Sequence, residues 1–235
     1  MLCIHANHNN IISSYINADN GKIESTDYLR ILGFDFNNEP NAIFHVLGVI
    51  DKLYGKLWTL RFFKKSGMSQ NNLLQIYCSV LRPSAEYSSI IYNSLIPEYV
   101  SAKLEAVQRQ AMKIIYGWDI NYDELISNNV ISTLKSRRED ASLKFAFKAS
   151  KSPRFGPVWF TENPVERSAR CTTRKHYIEE NCRTERGRNN PIQYMTRMLN
   201  EHLASEASTA ILNTEHTYRT TPPTISNRAN QLELE

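Results

Sequence analysis

Long apolar runs are missing from this sequence. No stretch approaches the roughly 18 consecutive apolar residues that a spanning helix needs, which excludes a helical membrane protein as the first reading. The start, Met1-Leu2-Cys3-Ile4-His5, has no basic segment followed by an apolar one, so an intracellular location is expected. Cysteine is sparse. Cys3, Cys78, Cys171 and Cys182 are too far apart for a disulfide framework, and reduced thiols are expected.

Catalytic patterns are missing too. No two aspartates are adjacent, and the acidic neighbours Asp123-Glu124, Glu139-Asp140 and Glu179-Glu180 fall on polar helical faces or in an irregular arm. A two-metal centre needs carboxylates converging from a rigid scaffold, which this spacing does not offer. His5, His8, His45, His176, His202 and His216 are scattered, with no serine or cysteine placed as a nucleophile beside them. Cys171, His176 and Cys182 include zinc-ligand types, but a structural site wants four ligands at short paired spacings. Free thiols are the expectation there. No catalytic residue, metal ligand or small-molecule substrate is assigned.

What is present is an ordinary globular composition, 41% hydrophobic and 10% aromatic over 235 residues, enough for a real core. The net charge of +4 is unevenly spread. Residues 41–152 carry 15 Lys/Arg against 9 Asp/Glu, and residues 153–203 carry 9 against 6. Both ends of the chain are acidic. A cationic middle suits a polyanion partner, although the same charge also serves as a solvated helical surface.

Residues 1–36 have the pattern of strands. Ile11-Ile12 and Tyr15-Ile16 make one run, Asn20-Gly21 is suited to a hairpin turn, and Lys22-Ile23-Glu24 begins the return. Tyr28 to Phe36 is expected to be one strand with Leu32, Phe34 and Phe36 on one face. So few strands bury no core alone, and the segment resembles the torn edge of a larger sheet.

Residues 37–151 are expected to be a helical bundle. The first helix carries Ile43, Val46, Leu47, Ile50, Leu53, Tyr54, Leu57 and Trp58 at helical spacing and stops near Gly67, with Lys52, Lys56, Arg61, Lys64 and Lys65 along it. The second, capped by Ser69, carries Leu73, Ile76, Tyr77, Val80 and Leu81 and meets Pro83, where a kink or a break is expected, with Arg82 and Glu86 able to pair across it. Pro97 opens a third helix, with Leu104, Val107, Ala111, Ile114 and Ile115 inward and Gly117 as its stop. A fourth begins near Ser132.

Residues 152–203 are proline-broken and arginine-rich, and are expected to be an extended basic arm. The stretch from Ile192 to Leu199 forms a short amphipathic docking helix in this reading. Residues 204–235 are expected to be a disordered tail. The fold class is therefore mainly α, preceded by a short β-hairpin or strand remnant.

Several short patterns recur together: Leu29-Arg30-Ile31-Leu32-Gly33-Phe34; Leu81, Arg82, Pro83, Glu86 and Tyr87; Leu104-Glu105, Val107-Gln108-Arg109, Ala111, Ile114-Ile115; Leu134, Arg137-Arg138; and later Cys182 to Arg186 and Pro191-Ile192, Tyr194. Their order over roughly residues 28–200 resembles the region after the catalytic palm in reverse transcriptases of non-LTR retrotransposons, the LINE-type, jockey-like elements. The resemblance implies that residues 1–36 are the last palm strands near the primer grip, that residues 37–151 are a helical thumb-like domain, and that the rest is its C-terminal extension. It also implies descent from an RNA-directed DNA polymerase, and does not imply polymerase activity in this chain by itself. The family's paired catalytic aspartates, its Mg2+ site and its endonuclease belong to regions outside this sequence.

A thumb grips an RNA–DNA or DNA duplex through phosphates, weakly and without sequence preference. Lys56, Lys64, Lys65, Arg109, Lys113, Arg137 and Arg138 are the candidate phosphate contacts. An alternative reading is a helical protein-interaction module whose apolar stripes dock a partner. A third expectation is that the strand edge in residues 1–36 lowers solubility.

Overall fold

The computed structural model describes residues 15–18, 21–24, 26–37, 41–164 and 175–220. Two antiparallel hairpins precede the helices. The first pairs β1 (Tyr15–Ala18) with β2 (Gly21–Glu24), and Ala18 faces Gly21, so Gly21 belongs to the return strand rather than to the turn. The second pairs β3 (Tyr28–Ile31) with β4 (Phe34–Asn37).

The single strand expected over Tyr28–Phe36 is thus folded in half. Leu32 and Gly33 both take positive φ, 49° and 81°, and turn the chain back. Leu32 is 87% exposed instead of sharing a face with Phe34 and Phe36. A glycine in the second turn position makes this reversal cheap, and the apolar alternation of Tyr28–Phe36 gave no sign of it.

β4 is anchored on the first helix, α1 (Ile43–Lys65). Phe34 is buried and stacks on His45 with ring centroids 4.2 Å apart. Along α1, Val46, Ile50, Leu53, Leu57 and Leu60 make the buried stripe, while Tyr54, Trp58 and Phe62 stand exposed on another face. α1 ends at Ser66, and Gly67 follows in the left-handed region, as the sequence implies.

α2 (Gln70–Ile76) starts at Ser69, whose hydroxyl accepts from the Asn72 amide. The helical backbone then runs without interruption through a π turn (Tyr77–Leu81) into α3 (Arg82–Glu86). Pro83 therefore does not end the helix, where a kink or a break was expected. The Arg82 amide bonds to Tyr77 O, five residues back, and this wider turn gives the proline ring room. The extra residue also rotates Val80 outward, while Leu73, Tyr77, Leu81 and Ala85 stay buried. The break comes later, at Tyr87 and the left-handed Ser88, before α4 (Ser89–Tyr92).

α5 (Glu98–Tyr116) crosses α1 and supplies Val100, Leu104, Val107, Ala111, Met112, Ile114 and Ile115 to the main core. It stops at Gly117 with φ 118°. α6 (Tyr122–Ser127) is capped by the Asn121 side chain. α7 (Leu134–Ser150) is capped by Thr133, whose hydroxyl accepts from the Ser136 amide at 3.1 Å.

A buried polar chain ties these elements together. The Tyr77 hydroxyl donates to Gln108 Oε1; Gln108 Nε2 donates to the Tyr122 hydroxyl at 2.7 Å and to Ser132 O at 2.9 Å; Tyr122 donates to Glu105. Burial pushes the Tyr77 and Tyr122 phenols well up, which keeps them neutral donors.

The arm is more folded than its composition suggests. α8 (Gly156–Trp159) follows α7 closely, α9 (Glu185–Arg188) is a single capped turn, and α10 (Pro191–Thr220) is a 30-residue helix. Met195 and Leu199 of α10 join Ala146, Ala149 and Phe160 in a second apolar cluster against α7. The expected docking helix is thus the first part of α10. The backbone helix continues past the expected boundary at residue 203, and residues 221–235 lie outside the described part. Between α8 and α9, Glu162 and Tyr177 form an isolated antiparallel bridge, and Asn200 holds Tyr177 by accepting from its amide at 2.8 Å and donating to its carbonyl oxygen at 3.0 Å. The mainly α class with leading hairpins stands.

Candidate nucleic-acid interface

A groove of about 580 Å³ opens where the β3–β4 turn, α1 and the end of α3 meet. His45, Val49, Lys52, Lys56 and Thr59 line it from one face of α1, because positions three, four and seven apart share a helical face. Arg30 closes it from β3, and Ser84 and Tyr87 close it from α3 and the break that follows. Gly33 also lines it. A Cβ there would sit 3.5 Å from the Tyr87 ring, and the Tyr87 hydroxyl donates to Leu32 O, so the turn is clamped against α3.

Three cations, Arg30, Lys52 and Lys56, line this groove, and among the described residues no carboxylate does. Lys56 Nζ donates to Ser84 Oγ at 2.6 Å, which fixes its direction without cancelling its charge. Asp35 lies behind Arg30, 3.5 Å from its Nε, and contacts His45 Nδ1 at 3.3 Å. Burial alone would raise the Asp35 carboxyl; the Tyr28 and His45 hydrogen bonds and the Arg30 charge outweigh it and hold the group below its ordinary value. Asp35 therefore stays ionised and orients Arg30.

The remaining candidates are dispersed. Lys64 reaches the end of α5, where Nζ donates to Ile114 O at 2.5 Å, satisfying a terminal carbonyl. Lys65 is exposed at the end of α1. Arg109 lies over the Tyr122 ring at 5.2 Å, and Lys113 over Trp118 at 5.8 Å. Arg137 makes a two-point contact with Glu86, with Nε donating to Oε1 and Nη2 to Oε2. Glu86 is thus bound to α7 and not to Arg82, as sequence spacing suggested.

Arg138 is buried, 2% exposed, and donates to Asn93 Oδ1 at 3.1 Å and Ser101 Oγ at 2.6 Å. It does not line the groove. Of the seven candidates, only Lys56 lines the groove. Arg30 and Lys52 were missed, although Lys52 precedes Lys56 by one helical turn; Arg30 reaches them only because the strand folds back. Of the motif Leu81, Arg82, Pro83, Glu86 and Tyr87, Leu81 is core, Glu86 braces α7 and Tyr87 walls the groove.

Among the described residues, no group of His, Cys, Asp and Glu is arranged to hold a metal ion, and no helix is long and apolar enough to cross a membrane. Cys171 lies outside the described part, and Cys182 is a free thiol. No family model, curated protein or solved structure matches the chain.

Proposed function

We propose that the chain is the thumb-like, C-terminal region of a non-LTR retrotransposon reverse transcriptase, and that its groove contacts the sugar–phosphate backbone of a template–primer duplex. The observation that carries the reading is the concave groove lined by Arg30, Lys52 and Lys56, with no carboxylate in its lining among the described residues. The ordered sequence patterns that resemble the family support it. In this reading the groove positions a duplex and does no chemistry; the aspartates and Mg2+ of a complete polymerase would act from a palm outside this sequence.

The test is fluorescence anisotropy of the full chain with a labelled RNA–DNA hybrid across a salt series. Affinity should fall steeply with salt, and Arg30→Gln/Lys52→Gln/Lys56→Gln should reduce the slope of log K against log salt by about 2 to 3, at about 0.7–0.9 for each phosphate no longer neutralised. A triple variant with an unchanged slope would remove the groove from the proposal.

A second reading, a protein-interaction module, draws on α1. Trp58 is 64% exposed and stacks on Phe62 at 5.3 Å, with Tyr54 one turn earlier. Retention of a protein partner in high salt, with loss in Trp58→Ala and no nucleic-acid binding, would favour it.

A further inference from the structure

The outward face of α1 carries a row of aromatic rings that the core does not use. Tyr54, Trp58 and Phe62 are four residues apart in turn, which places them about 6 Å apart along the helix axis. Tyr54 and Phe62 are about half exposed and Trp58 more so, and Trp58 and Phe62 stack on each other at an interplanar angle of 22°. Apolar residues exposed singly are ordinary on a protein surface, whereas three in one row, two of them stacked, make a contiguous platform.

This platform borders the groove. Each residue of a helix turns about 100°, which makes Gly55 the groove-lining position of α1 farthest round from the buried stripe. Trp58 follows Gly55 by three residues, and Phe62 follows the lining residue Thr59 by three. A Cβ on Gly55 would meet nothing within 4 Å, so the border between the two surfaces is open.

Charge narrows what can lie there. α1 carries Lys52, Lys56, Arg61, Lys64 and Lys65 against one carboxylate, Asp51. Arg61 and Lys65, three residues after Trp58 and Phe62 respectively, are exposed beside the row. A second copy of α1 laid on this face would set cations against cations. An anionic chain with flat rings to stack fits both features, and single-stranded nucleic acid has that chemistry.

We propose that the row is a stacking platform for the unpaired part of the template strand where it leaves the duplex, with Trp58 and Phe62 against the bases and Arg61 and Lys65 against the phosphates. The inference rests on the duplex-binding reading of the groove and assigns a separate surface to another part of the same partner. At about 12 Å the row has room for about two or three bases.

Fluorescence anisotropy of the full chain tests it with labelled probes at one salt concentration. The probes are a blunt RNA–DNA hybrid, the same hybrid with about ten unpaired template nucleotides at one end or the other, and the unpaired RNA alone. One overhang should tighten binding at least about fivefold over the blunt hybrid, the effect of stacking one base. Trp58→Ala and Phe62→Ala should each remove most of that gain and weaken binding of the free strand, while the blunt hybrid binds as before. Both rings are largely exposed, so the fold should survive these substitutions, and Trp58→Phe, which keeps a flat ring, should retain more of the gain than Trp58→Ala. An overhang that adds nothing at either end, or a gain that survives both alanine variants, overturns the platform and leaves the groove reading standing. Ring-dependent binding of the free strand without binding of the blunt hybrid would remove the groove reading and keep the platform. No binding of any probe removes both.

Discussion

Arg137 holds Glu86 fork to fork, so that α7 is fastened to the end of α3 by two parallel hydrogen bonds. Both side chains are partly shielded, and the pair sits just before the chain breaks at Tyr87. The contact fixes the direction in which Tyr87 leaves α3 and therefore the wall of the groove.

Replacing Arg137 by lysine keeps the charge but loses the planar fork. Arg137→Lys should cost about 1 kcal/mol in denaturant unfolding, below the about 1.5–3 kcal/mol of a hydrogen bond to a charged group, because the pair is only partly shielded and lysine can keep one of the two bonds. An unchanged midpoint would mean that the pair contributes nothing to α3–α7 packing.

Gln108 sits at the crossing of the buried chain from Tyr77 to Tyr122 and Ser132 O. Gln108→Leu leaves those groups without their partner in the interior. A loss of about 2–4 kcal/mol is expected, with each abandoned polar group costing about 1–3 kcal/mol before relaxation. Calorimetry or urea titration reads this directly.

Asp35 sets an acid limb. Its carboxyl titrates below the ordinary value in the folded chain and at about 3.9 in the unfolded one. Between those two values the unfolded state binds more protons, so stability falls as pH falls. The contribution is full above the unfolded value and gone below the folded one. Asp35→Asn should flatten the decline in melting temperature below about pH 4. An acid limb as steep in the variant as in the wild type would place the titrating group elsewhere.

Gly156 has no room for a side chain, because a Cβ would lie 2.4 Å from the carbonyl oxygen of Ser150. Gly156→Ala must push the α7–α8 turn apart at a cost of about 1–3 kcal/mol. Phe160, which that turn delivers into the second apolar cluster, should become more accessible to hydrogen exchange at its amide.

In the groove, Lys52 and Lys56 should differ. Lys56 is tethered to Ser84, whereas Lys52 forms no such bond among the described residues. Ser84→Ala should therefore weaken duplex binding through Lys56 alone, by less than Lys56→Gln does. Equal losses would show that Lys56 acts only from its tethered position.

The helices were legible because their signals are local. Ser69 announces α2, Gly67 and Gly117 end α1 and α5, and the apolar spacing of Val46, Ile50, Leu53 and Leu57 marks the buried face of α1. The site was less legible. A run of lysines and arginines states how much positive charge there is, not which groups reach solvent.

What the sequence determined by itself was the mainly helical class, the positions of several helix ends and the cationic middle, since propensity, caps and periodicity act over a few residues. The tertiary structure alone decided that Pro83 is absorbed by a π turn, that Arg137 braces α3, that Arg138 is interior, and that Arg30 joins Lys52 and Lys56. The last three depend on partners distant in the chain. Hydrogen bonds and charge pairs are set by distances of a few ångströms in space, and sequence spacing does not carry that information.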